Sequence, residues 1–173
     1  MAELTGEINA IRCENSGLLG CARDPVSVGR VVDDIWPDSG GEVVCRGGTD
    51  LPVRLEAEGP GTSWDARVAA AAPGALIVNA TGLGKDRRGS PVSEHSRFPR
   101  AAVVWELNYR GDLGFLSVAE RREEADRLSV HDGWQLFCHG WAAALTSILG
   151  LVDEPQLADQ FAEAIADLAP TRH

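Results

Sequence analysis

The sequence predicts an α/β fold, with an open parallel sheet covered by flanking helices. From Glu42 onward, strand-like segments alternate with helix-like ones, which is the pattern of successive β–α–β units. Two strand-like segments, 75–79 and 101–107, are continuous apolar runs, as expected of strands buried on both faces of a parallel sheet. The chain has 173 residues, of which 44% are hydrophobic, and this is enough for one domain of ordinary size.

The N-terminal region is predicted to form a hairpin followed by a helix. Two short strands, 7–13 and 18–22, are separated by the turn-forming residues 15–17. A helix is expected over 25–36, because Asp24 can cap it, a proline occupies its first position and its valines form an apolar stripe.

A linker rich in glycine and proline, 37–41, separates this region from the segments expected to form the sheet. Those segments are, in chain order, a strand over 42–48, a strand over 51–56, a loop over 57–63, a helix over 64–72 and the strands 75–79 and 101–107.

The C-terminal part is predicted to be helical, apart from a short strand over 128–131. An amphipathic helix is expected over 112–128 and a strongly apolar helix over 134–149. A last helix is expected to start at a cap on Asp153 and to run to residue 169. Its predicted buried face consists of Leu157, Phe161, Ile165 and Leu168.

Charge and cysteine usage exclude several classes of function. Twenty-six acidic residues against 16 basic ones give a net charge of −10, so nucleic acid and anionic membranes are not expected partners. The first residues do not resemble a signal peptide, and no apolar run approaches the ~20 residues needed to span a bilayer. The four cysteines have no paired spacing, which favours reduced thiols in a cytoplasmic protein over a disulfide framework or a metal site.

Polar residues and glycines gather at four predicted strand ends and helix starts, where open α/β sheets bind ligands. Taken singly, each segment has an ordinary structural explanation. The glycines are usual in turns, the aromatic residues are usual in the core, and a lone histidine on an apolar helix is usually a hydrogen-bonded core residue. Their combination is much more specific. The segments are 79–84 (Asn-Ala-Thr-Gly-Leu-Gly), 106–111 (Glu-Leu-Asn-Tyr-Arg-Gly), 131–134 (His-Asp-Gly-Trp) and 138–141 (Cys-His-Gly-Trp).

In combination, the series resembles the C-terminal half of the shikimate dehydrogenase family, which includes quinate/shikimate dehydrogenases. Residues 79–84 resemble the family's N-A-T-x-x-G segment, residues 106–109 its D-x-x-Y segment, and residues 132–140 its D-G-x-x-M-L-x-x-Q-G segment. Upstream, residues 6–11 resemble G-A-V-N-T-I and residues 19–24 resemble L-x-G-x-N-T-D. The motifs follow the family's order.

The resemblance implies an oxidoreductase of aromatic amino acid biosynthesis that transfers a hydride between NADP(H) or NAD(H) and a cyclic polyol of the shikimate or quinate type. It implies a Rossmann-like cofactor domain over 42–150 with a reduced first β–α step. A remnant of the substrate domain with its crossover helix (1–36) would precede it, and a C-terminal helix (153–170) would follow. Most of the family's N-terminal substrate domain has no counterpart in this sequence.

The resemblance also assigns roles to individual residues. Asp24 matches the catalytic aspartate, and the expected substrate contacts are Asn9, Tyr109 and His139, the last in place of the motif's glutamine. The expected cofactor contacts are the glycine pair that ends the strand 42–48 and residues at the later strand ends, namely Gly47, Gly48, Asn79, Thr81, Gly82 and Gly133.

Departures from the family leave a second function open. The V-T-x-P-x-K segment that carries the family's catalytic lysine is not in this sequence, and no helix is predicted directly after Gly48. The one lysine, Lys85, follows segment 79–84 in a charged stretch and is interpreted as a solvated loop residue, with a phosphate contact as the alternative. The chain is therefore either a dehydrogenase or an inactive, truncated relative that serves as a binding module or has no function.

A small-molecule substrate is the expected partner of an active chain. If the substrate domain is absent, the helix over 134–149 and the last helix lose part of their packing partner. We therefore expect exposed apolar surface on these helices, through which the chain can form a homo-oligomer.

Overall fold

The computed structural model describes Glu3 and residues 6–37, 41–46, 63–151 and 156–169. The chain folds into two compact units, which we call the hairpin unit (residues 1–34 and 134–173) and the sheet unit (residues 35–133). This division differs from the predicted one, in which the helix over 134–149 belonged to the cofactor domain. The helix instead packs against the N-terminal hairpin and the last helix.

The described elements follow one another nearly in the predicted order. They are β1 (Ala10–Glu14), β2 (Gly17–Cys21), α1 (Asp24–Ile35), β3 (Val43–Arg46), α2 (Trp64–Ala70), β4 (Leu76–Asn79), β5 (Val103–Glu106), α3 (Gly114–Glu120), α4 (Glu123–Asp126), β6 (Ser129–His131), α5 (Trp134–Leu149), α6 (Gln156–Ala164) and a 3₁₀ turn (Ala166–Leu168).

The sheet unit is built on a four-stranded parallel sheet in the order β3–β4–β5–β6. Every residue of β4 and β5 is buried, so the continuous apolar runs of the sequence correctly indicated strands covered on both faces. Helices α2 and α3 pack on this sheet. The shared core includes Val68, Ile77, Val104, Phe115 and Val118. The predicted α/β class with a Rossmann-like parallel sheet is therefore confirmed.

Some sequence-based expectations lie outside the described residues. They are the strand over 51–56, all of the loop 57–63 except Ser63, the glycine pair Gly47 and Gly48, and the cap at Asp153.

The single helix predicted over 112–128 is wrong, because the chain forms the two short helices α3 and α4 there. The apolar stripe that holds α3 on the sheet ends at Ala119, and residues 120–124 are all charged. A helix that continued in the same direction would have no apolar face to bury. Arg127, in the left-handed conformation with φ 56°, then ends α4.

The last helix is shorter than predicted. It ends at Ala164, and Ile165 leaves the helical conformation with φ −113° and ψ 16° before the 3₁₀ turn. This break changes the periodicity, so Leu168 no longer continues the stripe begun by Leu157. Leu168, which was predicted to be buried, is 74% exposed.

The hairpin unit begins with the antiparallel pair β1–β2, whose register runs from Ala10 opposite Cys21 to Glu14 opposite Gly17. Strand β1 packs against α5, and Ala10 is buried. Leu18 and Ile11 are exposed. Within the described ranges, no helix combines the length and the apolar character that crossing a bilayer requires.

Candidate functional site

Strands β4 and β5 bring two of the predicted motifs together at the carboxyl edge of the sheet. The parallel register places Asn79, the last residue of β4, opposite Glu106, the last residue of β5. The segments that leave both strands therefore lie side by side, at the edge where open α/β sheets bind ligands.

Glu106 is a buried carboxylate that ties these two strand ends together. No part of the residue is exposed to solvent. Its Oε2 accepts a hydrogen bond of 2.5 Å from Asn79 Nδ2, and its Oε1 accepts one of 2.9 Å from the backbone N–H of Asn108. Burial raises the pKa of Glu106 to about 7, although both hydrogen bonds act in the opposite direction. The sequence placed Glu106 in a motif and at the end of a strand predicted to be buried on both faces.

The segment after β4 forms a turn held by the side chain of Asn79. Asn79 Oδ1 accepts hydrogen bonds from the backbone N–H of Thr81 at 3.1 Å and from its hydroxyl at 2.7 Å. The Thr81 hydroxyl in turn accepts a hydrogen bond of 3.1 Å from the N–H of Leu83. Since Asn79 is fully buried, the part that it can take in cofactor binding is to position Thr81.

Gly82 gives this turn an open backbone surface. Its φ of +69° is a conformation that favours glycine, and a Cβ added there would meet no atom within 4 Å. The structure thus places three predicted cofactor residues in one turn, with Thr81 and Gly82 partly exposed and Asn79 behind them. Their contact with a cofactor stays a prediction.

Gly133, another predicted cofactor residue, allows a close approach between two strand exits. Its N–H donates a hydrogen bond of 3.1 Å to the carbonyl of Asn108. A Cβ at this position would collide with the carbonyl of Leu107, so only glycine fits without a backbone shift. Close packing alone therefore explains why position 133 is a glycine, without a role in ligand binding.

Tyr109 and Lys85 meet at the same edge of the sheet. Lys85 Nζ lies 5.0 Å from the centroid of the Tyr109 ring, within the range of a cation–π interaction, and both residues are partly buried. Lys85 lies in a loop, as predicted, and the structure adds the Tyr109 ring as its neighbour. The neighbouring charges in the sequence do not show that Tyr109 lies across the adjacent strand exit.

Asn9 and Asp24 line a cavity in the hairpin unit. Asn9 Nδ2 donates a short hydrogen bond to the Asp24 carboxylate, and Asn9 Oδ1 accepts one of 2.7 Å from the N–H of Arg23. The cavity has a volume of about 320 Å³ and is lined by Glu7, Ile8, Asn9, Ala22, Asp24 and Pro25. Asp24, the predicted catalytic residue, is thus hydrogen-bonded to Asn9, one of the predicted substrate contacts.

His139 lies in a different cavity of the same unit. That cavity has a volume of about 340 Å³, and its other lining residues are Arg30, Asp33, Asp34 and Asp159, none of which lines the Asn9–Asp24 cavity. The imidazole is buried, and its Nδ1 has no hydrogen-bond partner among the described residues. Its role as a substrate contact stays a prediction.

The spacing of the motif around His139 differs from that of the family by one residue. In D-G-x-x-M-L-x-x-Q-G the glutamine is the ninth residue, whereas His139 is the eighth residue counted from Asp132. One residue turns a helix by about 100°, so His139 faces another side of α5 than the ninth residue does. The ninth residue is Gly140, where a Cβ would meet no atom within 4 Å.

The described residues contain no group of three or more histidine, cysteine, aspartate and glutamate side chains that could hold a metal ion. None of the four cysteines forms a disulfide. Burial raises the pKa of Cys45 to about 11, which keeps this thiol protonated at neutral pH.

Several solved shikimate dehydrogenases have folds similar to that of this chain. The chorismate mutase/shikimate 5-dehydrogenase fusion protein from Clostridium acetobutylicum has a TM-score of 0.67 and 16% identity over 97% of this chain and 69% of that chain. Shikimate 5-dehydrogenase from Thermus thermophilus, solved in complex with shikimate, has a TM-score of 0.64 and 19% identity over 96% of this chain and 70% of that chain. For shikimate dehydrogenase 1 from Peptoclostridium difficile the TM-score is 0.69 and the identity 18%, over 98% and 70% of the two chains.

No protein-family model and no curated protein sequence matches the chain. The likeness to the solved structures, at these identities, concerns the fold, which is α/β and Rossmann-like.

Proposed function

We propose that this chain is an oxidoreductase of the shikimate dehydrogenase type, which transfers a hydride between NADP(H) or NAD(H) and a shikimate- or quinate-type cyclic polyol. The observation that carries the proposal is the hydrogen-bonded pair of Asn9 and Asp24, which lines an open cavity of about 320 Å³. The five sequence motifs and the fold shared with solved shikimate dehydrogenases support it.

The Asn9–Asp24 pair has the chemistry that a polyol site needs. The Asp24 carboxylate can accept the proton of a substrate hydroxyl, and an amide beside it can orient a neighbouring hydroxyl. Because the Asn9 amide bonds both the Asp24 carboxylate and the N–H of Arg23, the pair is held in place before any ligand arrives.

The cofactor would be held by the turn after β4. Gly82 and Thr81 are partly exposed, and a Cβ added at Gly82 would meet no atom within 4 Å, which leaves room for the edge of a flat ring beside the turn. A bound nicotinamide dinucleotide would supply the hydride acceptor or donor. The remaining residues have supporting tasks, since Asn79 and Glu106 hold the turn and Gly133 lets the strand exits pack closely.

A catalytically inactive binding module is the second candidate. It is favoured by the sequence, in which the V-T-x-P-x-K segment of the family is not found. Such a module would bind cofactor or polyol through the same residues without turnover.

Cofactor binding and turnover distinguish the two candidates. NADPH and NADH are titrated into the protein, with the fluorescence of its five tryptophans as readout. Oxidation of shikimate and of quinate is then followed by the appearance of reduced cofactor. An oxidoreductase binds cofactor and oxidises one of the polyols, and a binding module shows binding alone. No binding at millimolar cofactor contradicts the proposal.

Asp24→Asn tests the residue at the centre of the proposal, with Asp167→Asn at an exposed position as the matched control. We expect Asp24→Asn to lower kcat by about 100-fold or more and the control to match the wild type. Equal rates for both variants would remove Asp24 from the reaction.

We also propose a cytoplasmic location, supported by four cysteines that form no disulfide, as is usual where thiols are kept reduced.

A further inference from the structure

The Asn9–Asp24 cavity of the hairpin unit is acidic. Glu7 and Asp24 both line it with carboxylates, and none of its described lining residues is basic. Arg23 adjoins the cavity, because its backbone N–H donates a hydrogen bond to Asn9. Even when the one positive charge of Arg23 is counted, the carboxylates outnumber the cations by two to one.

The backbone that carries Glu7 is anchored to β2. The N–H of Asn9 donates a hydrogen bond of 3.0 Å to the carbonyl of Cys21. Ile8 lies directly over Gly20, where an added Cβ would be 3.0 Å from its Cγ2 atom. Glu7 immediately precedes these two anchored residues, so its position beside the cavity is set by the hairpin.

The start of α1 does little to offset the two carboxylates. The first N–H groups of a helix often bind anions. Pro25, which lines the cavity, has no N–H to offer. The N–H groups of Val26 and Ser27 both donate to the carbonyl of Arg23, each at 3.1 Å. An anionic ligand would therefore find like charges here and few donors.

A substrate with a carboxylate would bring a third negative charge to this cavity. Shikimate and quinate both carry one, whereas their ring hydroxyls are neutral and can bond to Asn9 and Asp24. Like charges brought together lower affinity, so the cavity disfavours the acid group without disfavouring the ring. In the segment G-A-V-N-T-I the residue that corresponds to Glu7 is alanine, so this carboxylate is a departure from the motif.

We propose that Glu7 determines substrate specificity and that the preferred substrate is a cyclic polyol without a carboxylate. This inference rests on the proposed function, because it takes the Asn9–Asp24 cavity as the polyol site. The reaction is the same: a ring carbon gives a hydride to the oxidised cofactor, and its hydroxyl gives a proton to the Asp24 carboxylate. The products are a ring ketone and the reduced cofactor.

Matched ligands isolate the effect of the charge. The methyl ester and the primary amide of shikimate keep its ring and hydroxyls but carry no negative charge, and the amide adds no methyl group. Isothermal titration calorimetry on the whole chain without cofactor measures the Kd of each. We expect both neutral ligands to bind about tenfold more tightly than shikimate at low salt. About 0.5 M NaCl should reduce this preference, because salt screens charges in an open cavity.

Two variants assign the preference to Glu7. Glu7→Gln removes one negative charge and should reduce the preference to about threefold, the part due to Asp24. Glu7→Lys reverses the charge and should make shikimate the tighter ligand. Glu163→Gln, at an exposed position of α6 outside the cavity lining, is the matched control and should keep the wild-type preference. In turnover with NADP, the preference should appear in KM and leave kcat within about threefold.

The outcomes separate this inference from the proposed function. If the wild type binds shikimate as tightly as the neutral ligands and oxidises it, the inference is wrong and the proposed function stands. A preference that persists unchanged in Glu7→Gln and Glu7→Lys, both folded by circular dichroism, overturns the role of Glu7. A preference for the neutral ligands without turnover of any of them overturns the oxidoreductase and leaves the ligand class in place. If no ligand binds and none is oxidised, both proposals fail.

Discussion

Asn79 and Glu106 face each other across β4 and β5 and are joined by a hydrogen bond of 2.5 Å in a fully buried position. Through Asn79 the same carboxylate supports the turn at Thr81, and through the N–H of Asn108 it supports the segment that leads to Tyr109. A single buried acid thus organises both strand exits at the candidate site.

The raised pKa of Glu106 predicts a pH-dependent stability. The pKa of this acid is about 4.5 in the unfolded chain and about 7 in the folded one, so the folded state binds more protons between these values. Its contribution to stability is present below about pH 4.5 and is lost as the pH rises through about 7. The full loss is of order 3 kcal/mol.

We expect Glu106→Gln to flatten the dependence of the free energy of unfolding on pH in that window. Urea unfolding at a series of pH values measures it, with Glu94→Gln at an exposed position as the control. If the free energy of unfolding changed with pH at the same slope in wild type and in Glu106→Gln, the pH dependence would not come from Glu106.

Gly133→Ala is expected to destabilise the protein by about 2 kcal/mol or more, because the new methyl group would collide with the carbonyl of Leu107. Gly29→Ala is the matched control: Gly29 lies inside α1, and a Cβ there meets no atom within 4 Å. The control should gain about 0.5–1 kcal/mol from helix propensity. If urea unfolding gave Gly133→Ala and Gly29→Ala the same free energy of unfolding, the close approach at Gly133 would be refuted.

Gly140→Gln should improve substrate binding. It restores the amide at the ninth residue of the motif, and a Cβ at Gly140 has open space. We expect a lower KM for shikimate, with no loss of stability, since the change removes a glycine from a helix. His139→Gln is the comparison. A gain in His139→Gln but not in Gly140→Gln would show that the eighth residue faces the substrate.

We propose that the chain self-associates through apolar surface at the end of α5, where Leu149 is 65% exposed and Leu151 58% exposed. Leu149→Glu should weaken association by placing a charge in the contact. Leu18→Glu, on the exposed hairpin, is the comparison that locates the surface. Sedimentation velocity over a range of concentrations measures the effect, and a wild-type monomer throughout that range would contradict the proposal.

The sequence alone determined the elements whose signal is local. The apolar runs indicated the two central strands with their two-sided burial, and the apolar helix 134–149 was predicted with its observed bounds. Three motif segments, 79–84, 106–111 and 131–134, also lie at the carboxyl edge of the sheet, because strands of a parallel sheet all present their carboxyl ends there. Where the local signal was a charged run, at residues 120–124, the prediction of one continuous helix failed.

Only the tertiary structure decided the contacts between segments distant along the chain. Lys85 and Tyr109 meet because Gly84 and Gly111 permit two loops to touch, and Glu106 has a raised pKa because both strand neighbours and the core exclude water from it. His139 lines a different cavity from the Asn9–Asp24 pair, a separation that the motif order along the chain did not show. Residue types and motif order are written along the chain, but the distances and burial that set their chemistry arise only when the segments pack.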